Sequence, residues 1–300
     1  MKQIILVAGA TGNLGERIVK ALKALGAEVR VLARPTSNTK TLQRLSQLGA
    51  TIHTLNEWTV AEIAQACQGV DCVVSVLAGL RDVIIDAQTI LLDGAIAAGV
   101  PRFIPSDFST DFTKFNRGEN RNLDLRGEFH EYLDKKNIKS TSVFNGAFLD
   151  MITGQMPLIL FKQKMVLYWG DADHSMVFTA MDDTAVYTAH VALDTTAPRY
   201  LRIAGEVISP RALREVVSEV SGERYKLLRT GGPTLLSLII KIASKLAPSP
   251  GELYPAWQGM QYMRNMIDKR SDLARTDNMR YPGLHWTTAK DVLTVFAKSK

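Results

Sequence analysis

Three glycines close to the start of the chain constrain its fold more than any other feature. An apolar run from Ile4 to Ala8 leads directly into Gly9, and Gly12 and Gly15 follow at three-residue intervals. Apolar residues then recur at helical spacing, which predicts a strand, a tight turn and a helix in that order. Glycines at this spacing let the backbone turn sharply and approach a pyrophosphate at the helix N-terminus. The stretch therefore predicts a dinucleotide site.

The same glycine spacing also fits a tight strand-to-helix turn that needs glycine for its geometry alone. Thr11 and Asn13 favour the binding interpretation, because both side chains can hydrogen-bond to a phosphate or to the adjoining loop. If turn geometry alone explains the motif, each glycine is needed by the backbone; if a dinucleotide binds there, a glycine can also be needed by the ligand.

The end of the second predicted strand bears on the choice between NAD and NADP. In a dinucleotide fold, an acidic residue here holds the 2′-hydroxyl of NAD. This chain instead has Ala33 and Arg34, followed by the hydroxyl side chains of Thr36 and Ser37. A guanidinium pairs bidentately with phosphate oxygens, so the sequence favours NADP(H) over NAD(H). The alternative is that Arg34 only caps its loop in solvent.

Strands alternate with helices through the first half of the chain. After the first strand, further strands are predicted near residues 28–33, 49–55, 71–77, 102–105 and 140–144. This alternation is typical of the α/β class and of a doubly wound parallel sheet, which binds ligands at the carboxyl ends of its strands.

The pattern changes after Gly146. We expect a Rossmann NAD(P)-binding domain at residues 1–146 and a smaller C-terminal substrate lobe at residues 147–300, interleaved with the edge of the sheet. Within the lobe, a hairpin-like stretch is predicted around residues 166–169, turned by residues 170–173, and helices rich in Leu, Ile and Met are predicted from Tyr225 onward.

The composition excludes several classes of protein. An apolar share of 46% and a charged share of 22% are ordinary globular values. The formal charge of +6 suits an anionic partner, but the basic residues form no run with interleaved aromatics, so nucleic acid is not expected. No stretch is apolar and long enough to span a bilayer, and the N-terminal run is interrupted by the glycine turn, unlike a signal peptide. We therefore expect a cytoplasmic protein with no membrane partner and no metal, in which Cys67 and Cys72 are reduced and buried.

Several of these segments together resemble a known family. They are the glycine turn, the loop at residues 34–36, Gln88, and the run Val-Pro-Arg-Phe-Ile-Pro-Ser-Asp-Phe at residues 100–108. They are similar to the NmrA-like branch of the atypical short-chain dehydrogenases/reductases, which includes relatives of isoflavone reductase and phenylcoumaran benzylic ether reductase. The similarity continues through residues 145–148 and 178–185 and is looser in the last third.

The resemblance implies an NADP(H)-binding Rossmann domain with a smaller lobe over the nicotinamide. By position it places along the cofactor Gly9, Thr11, Gly12, Asn13, Leu14, Arg34, Ser75, Ala78 and Phe148. The glycine turn and the Arg34 loop add Gly15 and Thr36 to this set.

The resemblance also directs attention to Arg126. Reductases of this family have a lysine early in the helix before the sixth strand, and the corresponding residue here is Arg126. An arginine stays charged and cannot act as a general acid at neutral pH. Arg126 can still anchor the nicotinamide ribose or polarise a carbonyl group. Proton donation then requires another group.

Three neighbouring residues are candidates for the remaining catalytic work. His130 lies one helical turn beyond Arg126, so the two share a helix face, and an imidazole is a group that can donate a proton; the alternative is a half-buried or solvated helix histidine. Ser106 and Asp107 could orient substrate or water, or could cap the loop after the fifth strand.

Tyr132 and Lys136 have the Tyr-x-x-x-Lys spacing of the catalytic pair in short-chain dehydrogenases. Lys136, however, falls at the C-terminal end of its predicted helix, about three turns beyond the position that a catalytic lysine requires. We interpret the pair as a coincidence on the far surface.

Aromatic residues of the C-terminal half could form an apolar wall for an aromatic or quinone-like ligand. The candidates are Tyr168, Trp169, His174, Phe178 and Met181. Such residues are more often simple core.

These features support one leading hypothesis and one alternative. The first is an NADPH-dependent reductase that transfers hydride to a small aromatic, quinone or conjugated carbonyl substrate. The alternative is a non-catalytic regulatory protein of the NmrA type that senses NADP(H), which the replacement of lysine by Arg126 favours. The intact glycine spacing argues against a bare interaction scaffold.

Overall fold

A six-stranded parallel sheet forms the centre of the first of two compact units. Its strands are β1 (Ile4–Ala8), β2 (Glu28–Ala33), β3 (Thr51–Thr54), β4 (Cys72–Ser75), β5 (Arg102–Ile104) and β6 (Lys139–Ser140). They lie in the order β3-β2-β1-β4-β5-β6, so the direction of strand order reverses between β1 and β4. Open α/β sheets form a ligand-binding crevice at such a reversal. The structure is a computed structural model that describes residues 2–273 and 275–299.

The two units are discontinuous in sequence. The first comprises residues 2–108, 125–144 and 184–201, and the second comprises residues 109–124, 145–183 and 202–299. The α/β fold and the parallel sheet confirm the predicted fold class. The predicted domain boundary between residues 146 and 147 stays a prediction.

Helices flank the strands along the chain, and several begin at a side-chain cap. They are α1 (Asn13–Ala24), α2 (Thr39–Gln47), α3 (Val60–Ala66), α4 (Gln88–Ala97), α5 (Arg121–Leu133), α6 (Met181–Leu193), α7 (Pro210–Ser221), α8 (Pro233–Leu246), α9 (Ala256–Met266) and α10 (Ala289–Lys298). A π-helical segment, Asp82–Ala87, runs directly into α4. Asn38 caps α2 and Thr59 caps α3, since each side chain accepts a hydrogen bond from a first-turn N–H group.

The core of the first unit lies against the sheet. Ile5, Leu6, Val7 and Ala8 of β1 are fully buried, because a central parallel strand is covered on both faces. Leu6 and Ala8 belong to a cluster that also contains Ile63, Leu91, Leu92, Phe103 and Phe129. This packing holds the carboxyl ends of β1 and β4 in place.

The remaining strands are short. They are β7 (Ser142–Phe144), β8 (Ala147–Phe148), β9 (Ile159–Leu160), β10 (Met165–Trp169), β11 (Met176–Thr179), β12 (Tyr200–Arg202), β13 (Glu206–Ile208) and β14 (Lys226–Gly231). In the second unit, one sheet has the order β14-β10-β9 and the other β13-β11-β8. The pair formed by β7 and β12 is separate from these two sheets. A separate core cluster contains Leu149, Ile152, Val166, Phe178 and Leu213.

Two local predictions in this half are wrong. Residues 170–173 do not turn a hairpin, because β10 and β11 belong to different sheets and β10 pairs antiparallel with β9 instead. The chain just after Tyr225 is the strand β14 rather than a helix, since β14 pairs in parallel with β10. The partners of β11 are β8 and β13 and the partner of β14 is β10, and all of these lie far away in the sequence.

Candidate functional site

Two glycines of the first turn are required by the fold itself. Gly9 has a φ of +86°, and a Cβ there would lie 2.5 Å from the Val76 carbonyl oxygen. A Cβ on Gly15 would collide with the Gly9 carbonyl oxygen. Gly9 needs glycine for its left-handed backbone and for the close approach, whereas Gly15 needs it for the close approach alone.

Gly12 differs from these two because the fold does not require a glycine there. Its φ of −80° suits any residue, and it is exposed. Within the described residues, a Cβ on Gly12 would meet only the Gly9 carbonyl oxygen, at 3.4 Å. Gly12 is also the N-cap of α1 and supplies no side-chain acceptor to that helix end. Open space beside an uncapped helix N-terminus is what an anionic group needs. Turn geometry alone therefore does not account for Gly12.

Arg34 lies exposed at the end of β2, on a turn held by its own backbone. The Arg34 N–H donates to Ser37 Oγ and the Ser37 N–H donates to the Arg34 carbonyl, each at 2.9 Å. Across residues 2–273 and 275–299, no hydrogen bond or ion pair engages the Arg34 guanidinium. The loop therefore orients Arg34 through its backbone and leaves the charged group available to an anion. Thr36, in the same loop, is exposed as well.

Gln88 joins the ends of two neighbouring strands. Its side chain is fully buried, and its Oε1 accepts from Ser75 Oγ at 2.6 Å and from the Ser106 N–H at 3.0 Å. Its Nε2 donates to the Ile84 carbonyl at 3.2 Å. The sequence resemblance included Gln88 but assigned it no role. A glutamine among apolar residues on a buried helix face is the signal that indicates such a contact.

Ser106 connects this clamp to Arg126. The Ser106 hydroxyl donates to the Leu77 carbonyl at 2.7 Å, and the Ser106 carbonyl accepts from Arg126 Nε at 3.0 Å. The structure thus brings Ser75, Ser106 and Arg126 to one edge, at the carboxyl ends of β4 and β5. Ala78, which follows β4, is exposed, whereas Ser75 is fully buried and donates its hydroxyl hydrogen to Gln88.

His130 is buried in a polar network that sequence reasoning did not predict. His130 Nε2 lies 2.6 Å from Asp107 Oδ2, and Ser142 Oγ donates to the same carboxylate oxygen at 2.6 Å. Arg199 Nη1 donates to Ser142 Oγ, also at 2.6 Å, and the His130 ring stacks on Tyr200 with centroids 6.2 Å apart. Ser142 and Arg199 reach this network only through tertiary folding.

The network determines the charge of Asp107. Burial alone raises the pKa of the Asp107 carboxyl, but the electrostatic interaction with His130, the hydrogen bonds from His130 and Ser142, and the charge of Arg126 more than offset it. The pKa of Asp107 is therefore held below its usual range, and Asp107 is a carboxylate at neutral pH.

Tyr132 and Lys136 share one partner, the Asp93 carboxylate. Tyr132 Oη donates to Asp93 Oδ2 at 2.6 Å, and Lys136 Nζ lies 3.0 Å from Asp93 Oδ1. Lys136 lies after the end of α5 and before β6, at the amino end of that strand. Ligands of parallel sheets bind at the opposite edge.

The proposed aromatic wall is wrong in one member. Phe178 is fully buried in the core of the second unit. Tyr168 and Trp169 lie half-buried on β10, and His174 Nε2 lies 3.3 Å from the Met266 carbonyl. Phe148 lies half-buried on β8 of the second unit, and its place along the cofactor stays a prediction.

The two cysteines are buried and free. Burial raises the pKa of both the Cys67 and the Cys72 thiol to about 12, so both stay protonated at neutral pH.

The strand order and the glycine turn at the order reversal together define a class. The first unit has the Rossmann type of α/β fold, with the turn between β1 and α1 in the position that dinucleotide-binding members use. The NmrA-like family matches residues 1–268, and the chain belongs to this family. The resemblance drawn from the sequence is thereby confirmed.

Relatives and solved structures match over nearly the whole chain. A bifunctional pinoresinol-lariciresinol reductase of Linum usitatissimum is 26% identical over an alignment 310 residues long, gaps included, that covers 97% of this chain and 98% of that protein. Phenylcoumaran benzylic ether reductase IRL1 of Ginkgo biloba is 28% identical over 266 residues and 84% of each chain. The binary complex of leucoanthocyanidin reductase and NADPH from Vitis vinifera has a TM-score of 0.83 at 17% identity, covering 98% of this chain and 99% of that one. A structure described as AtPrR2 with NADP+ and (+)pinoresinol has a TM-score of 0.78 at 23% identity, covering 99% of each chain. At these identities the structural likeness shows the fold.

Within residues 2–273 and 275–299, no helix has the length and hydropathy that crossing a bilayer requires.

Proposed function

We propose that the protein is an NADPH-dependent reductase of a small aromatic, quinone-like or conjugated carbonyl substrate. The observation that carries the proposal is Gly12, a glycine that the fold does not require, beside the uncapped N-terminus of α1. The similarity to full-length plant reductases of aromatic substrates supports a reductase, and the bound NADP+ and NADPH named for two structural neighbours support the cofactor.

The residues at the β1–β4 edge fit a phosphorylated dinucleotide. We propose that Gly9, Thr11, Gly12, Asn13, Leu14 and Gly15 hold the pyrophosphate, with Ser75 and Ala78 alongside. The unpaired guanidinium of Arg34, with the Thr36 hydroxyl, binds the 2′-phosphate. NADPH supplies the hydride when bound.

Arg126 acts in this proposal as an electrostatic anchor. The hydrogen bond from its Nε to the Ser106 carbonyl fixes the side chain, and its permanent charge can hold the ribose or polarise a substrate oxygen. Ser106 acts mainly by positioning Arg126, because its hydroxyl hydrogen is committed to Leu77.

The proton has two proposed sources, His130 and water. His130 contacts Asp107, which follows Ser106 at the carboxyl edge of the sheet. The Nε2 atom of His130 is already engaged by the Asp107 carboxylate. The variant His130→Asn separates the two sources: kcat falls if His130 donates the proton and stays unchanged if water does.

A second candidate function is a regulator that binds NADP(H) without turnover. Arg126, in the place of the reductase lysine, favours it, because arginine does not donate a proton.

The two functions are separated by measuring turnover and binding together. Purified protein is mixed with NADPH and a panel of quinones, aromatic aldehydes and enones, and the loss of reduced-nicotinamide absorbance is followed. A reductase turns over at least one class, and Arg126→Gln lowers kcat while Arg126→Lys retains it. NADPH binding without turnover across the panel would contradict the reductase proposal and favour the regulator.

A further inference from the structure

A file of exposed apolar side chains runs along α8. Leu235, Leu238, Ile242 and Leu246 are 46%, 53%, 48% and 81% exposed. Their spacing of three, four and four residues places them on one face of the helix. Two other apolar side chains of α8, Leu236 and Ile240, are buried. The helix therefore has one covered and one uncovered apolar face.

The chain around this file carries charge of one sign. Residues 225–251 contain Lys226, Arg229, Lys241 and Lys245 and no Asp or Glu. Lys241 follows Leu238 by three residues and Lys245 follows Ile242 by three, so both lysines lie beside the file. In the described part of the chain, no carboxylate pairs with either lysine. The apolar face is thus bordered by free positive charge.

We propose that this face of α8 binds the surface of an anionic membrane. The apolar side chains enter the boundary between headgroups and acyl chains, and the lysines extend to the lipid phosphates. This helix lies on the bilayer and does not cross it, in agreement with the hydropathy of the described helices. The proposal departs from the expectation of no membrane partner, which rested on the lack of a spanning segment, because surface binding needs only one exposed face.

A second copy of the chain fits this face less well. Four apolar side chains in single file are few beside the roughly 20–30 residues per partner of a stable protein interface. Two such faces in contact would also bring lysines of the same sign together without an acidic residue of the segment to pair with them. An anionic surface removes both difficulties.

Co-sedimentation with vesicles tests the proposal. The full-length protein is mixed with vesicles of phosphatidylcholine alone or of phosphatidylcholine and phosphatidylglycerol, at low and at high salt. We expect binding to the anionic vesicles that weakens as salt rises. Lys241→Gln with Lys245→Gln should weaken this binding about 30-fold, since each lysine near an anionic surface contributes about fivefold.

Two further variants separate membrane binding from other causes. Leu238→Gln with Ile242→Gln should abolish vesicle binding, whereas Val295→Gln, at a still more exposed apolar side chain on α10, should leave it unchanged. All variants are checked for an unchanged melting temperature. Absence of binding to anionic vesicles would overturn the proposal. The proposal would also be overturned if Leu238→Gln with Ile242→Gln bound anionic vesicles as well as the unmodified protein does. It would be overturned too if this variant dissociated a dimer and left vesicle binding unchanged.

Discussion

At the residue scale, Gly12 and Gly15 both belong to the glycine motif between β1 and α1, but glycine is required at the two positions for different reasons. Gly15 is required by contact with the Gly9 carbonyl, so it belongs to the fold. Gly12 has room for a side chain, so the proposed ligand is what constrains it.

This contrast predicts opposite outcomes for two substitutions. Gly12→Val should raise the Kd for NADPH at least about tenfold and change the melting temperature little, because the added atoms enter the ligand's space. Gly15→Ala should instead lower the melting temperature by several degrees, since overpacking costs about 1–3 kcal/mol. Fluorescence titration and thermal unfolding measure both effects. A Gly12→Val protein that binds NADPH normally would show that the turn has been misinterpreted.

The buried carboxylate of Asp107 predicts a pH dependence of stability. Its pKa is lowered in the folded state, so ionised Asp107 stabilises the fold above the unfolded pKa of about 3.9, and the effect is lost as pH falls through the folded pKa. Asp107→Asn should cost about 3 kcal/mol at pH 7, and the difference from the unmodified protein should narrow below about pH 4. Urea unfolding between pH 3 and pH 7 measures it. A difference that stays constant with pH would contradict this account.

At the scale of elements, the carboxyl edge depends on a contact between strands. Gln88 holds the ends of β4 and β5 through Ser75 and Ser106. Its bonds span 13 and 18 residues of sequence, so the alternating pattern of strands and helices does not reveal them.

Removing the Gln88 amide should therefore weaken the whole edge. Gln88→Met keeps the size of the side chain but leaves the Ser75 hydroxyl and the Ser106 N–H without their acceptor. We expect a loss of about 2–4 kcal/mol in the free energy of unfolding, since each buried polar group left unpaired costs about 1–3 kcal/mol. Asp86→Ala, an exposed change two residues earlier, should stay within about 0.5 kcal/mol. Equal urea midpoints for the two variants would remove Gln88 from this role.

Elements were predictable from sequence where their signal is local. The central strands β1 and β4 follow from buried apolar runs, and the strand, turn and helix at the N-terminus follow from glycine spacing. β14 was not predictable in this way, because Lys226–Gly231 shows no clean alternation and is stabilised by pairing with β10. Similarly, Arg34 could be identified by its place after a strand, whereas Ser142 and Arg199 could not, because their partners come from tertiary folding.

At the scale of the whole molecule, the chain forms two units with separate cores. The nucleotide fold lies in the first unit, whose last segment, residues 184–201, comes between two segments of the second unit. A sequence pattern indicates where composition changes, but it does not show that a later segment rejoins an earlier core. The class of cofactor was thus easier to infer than the organisation of the chain.

The central claim is that the β1–β4 edge binds NADP(H) with Arg34 on the 2′-phosphate. Isothermal titration calorimetry of NADPH and NADH against the unmodified protein, Arg34→Glu, and the matched charge reversal Arg224→Glu tests it most directly. We predict that NADPH binds about 30-fold more tightly than NADH, since a charged hydrogen-bonded pair contributes about 2 kcal/mol. Arg34→Glu should remove this preference and leave NADH affinity nearly unchanged, while Arg224→Glu should have no effect. Equal loss of both cofactors in Arg34→Glu, or no binding of NADPH to the unmodified protein, would contradict the account.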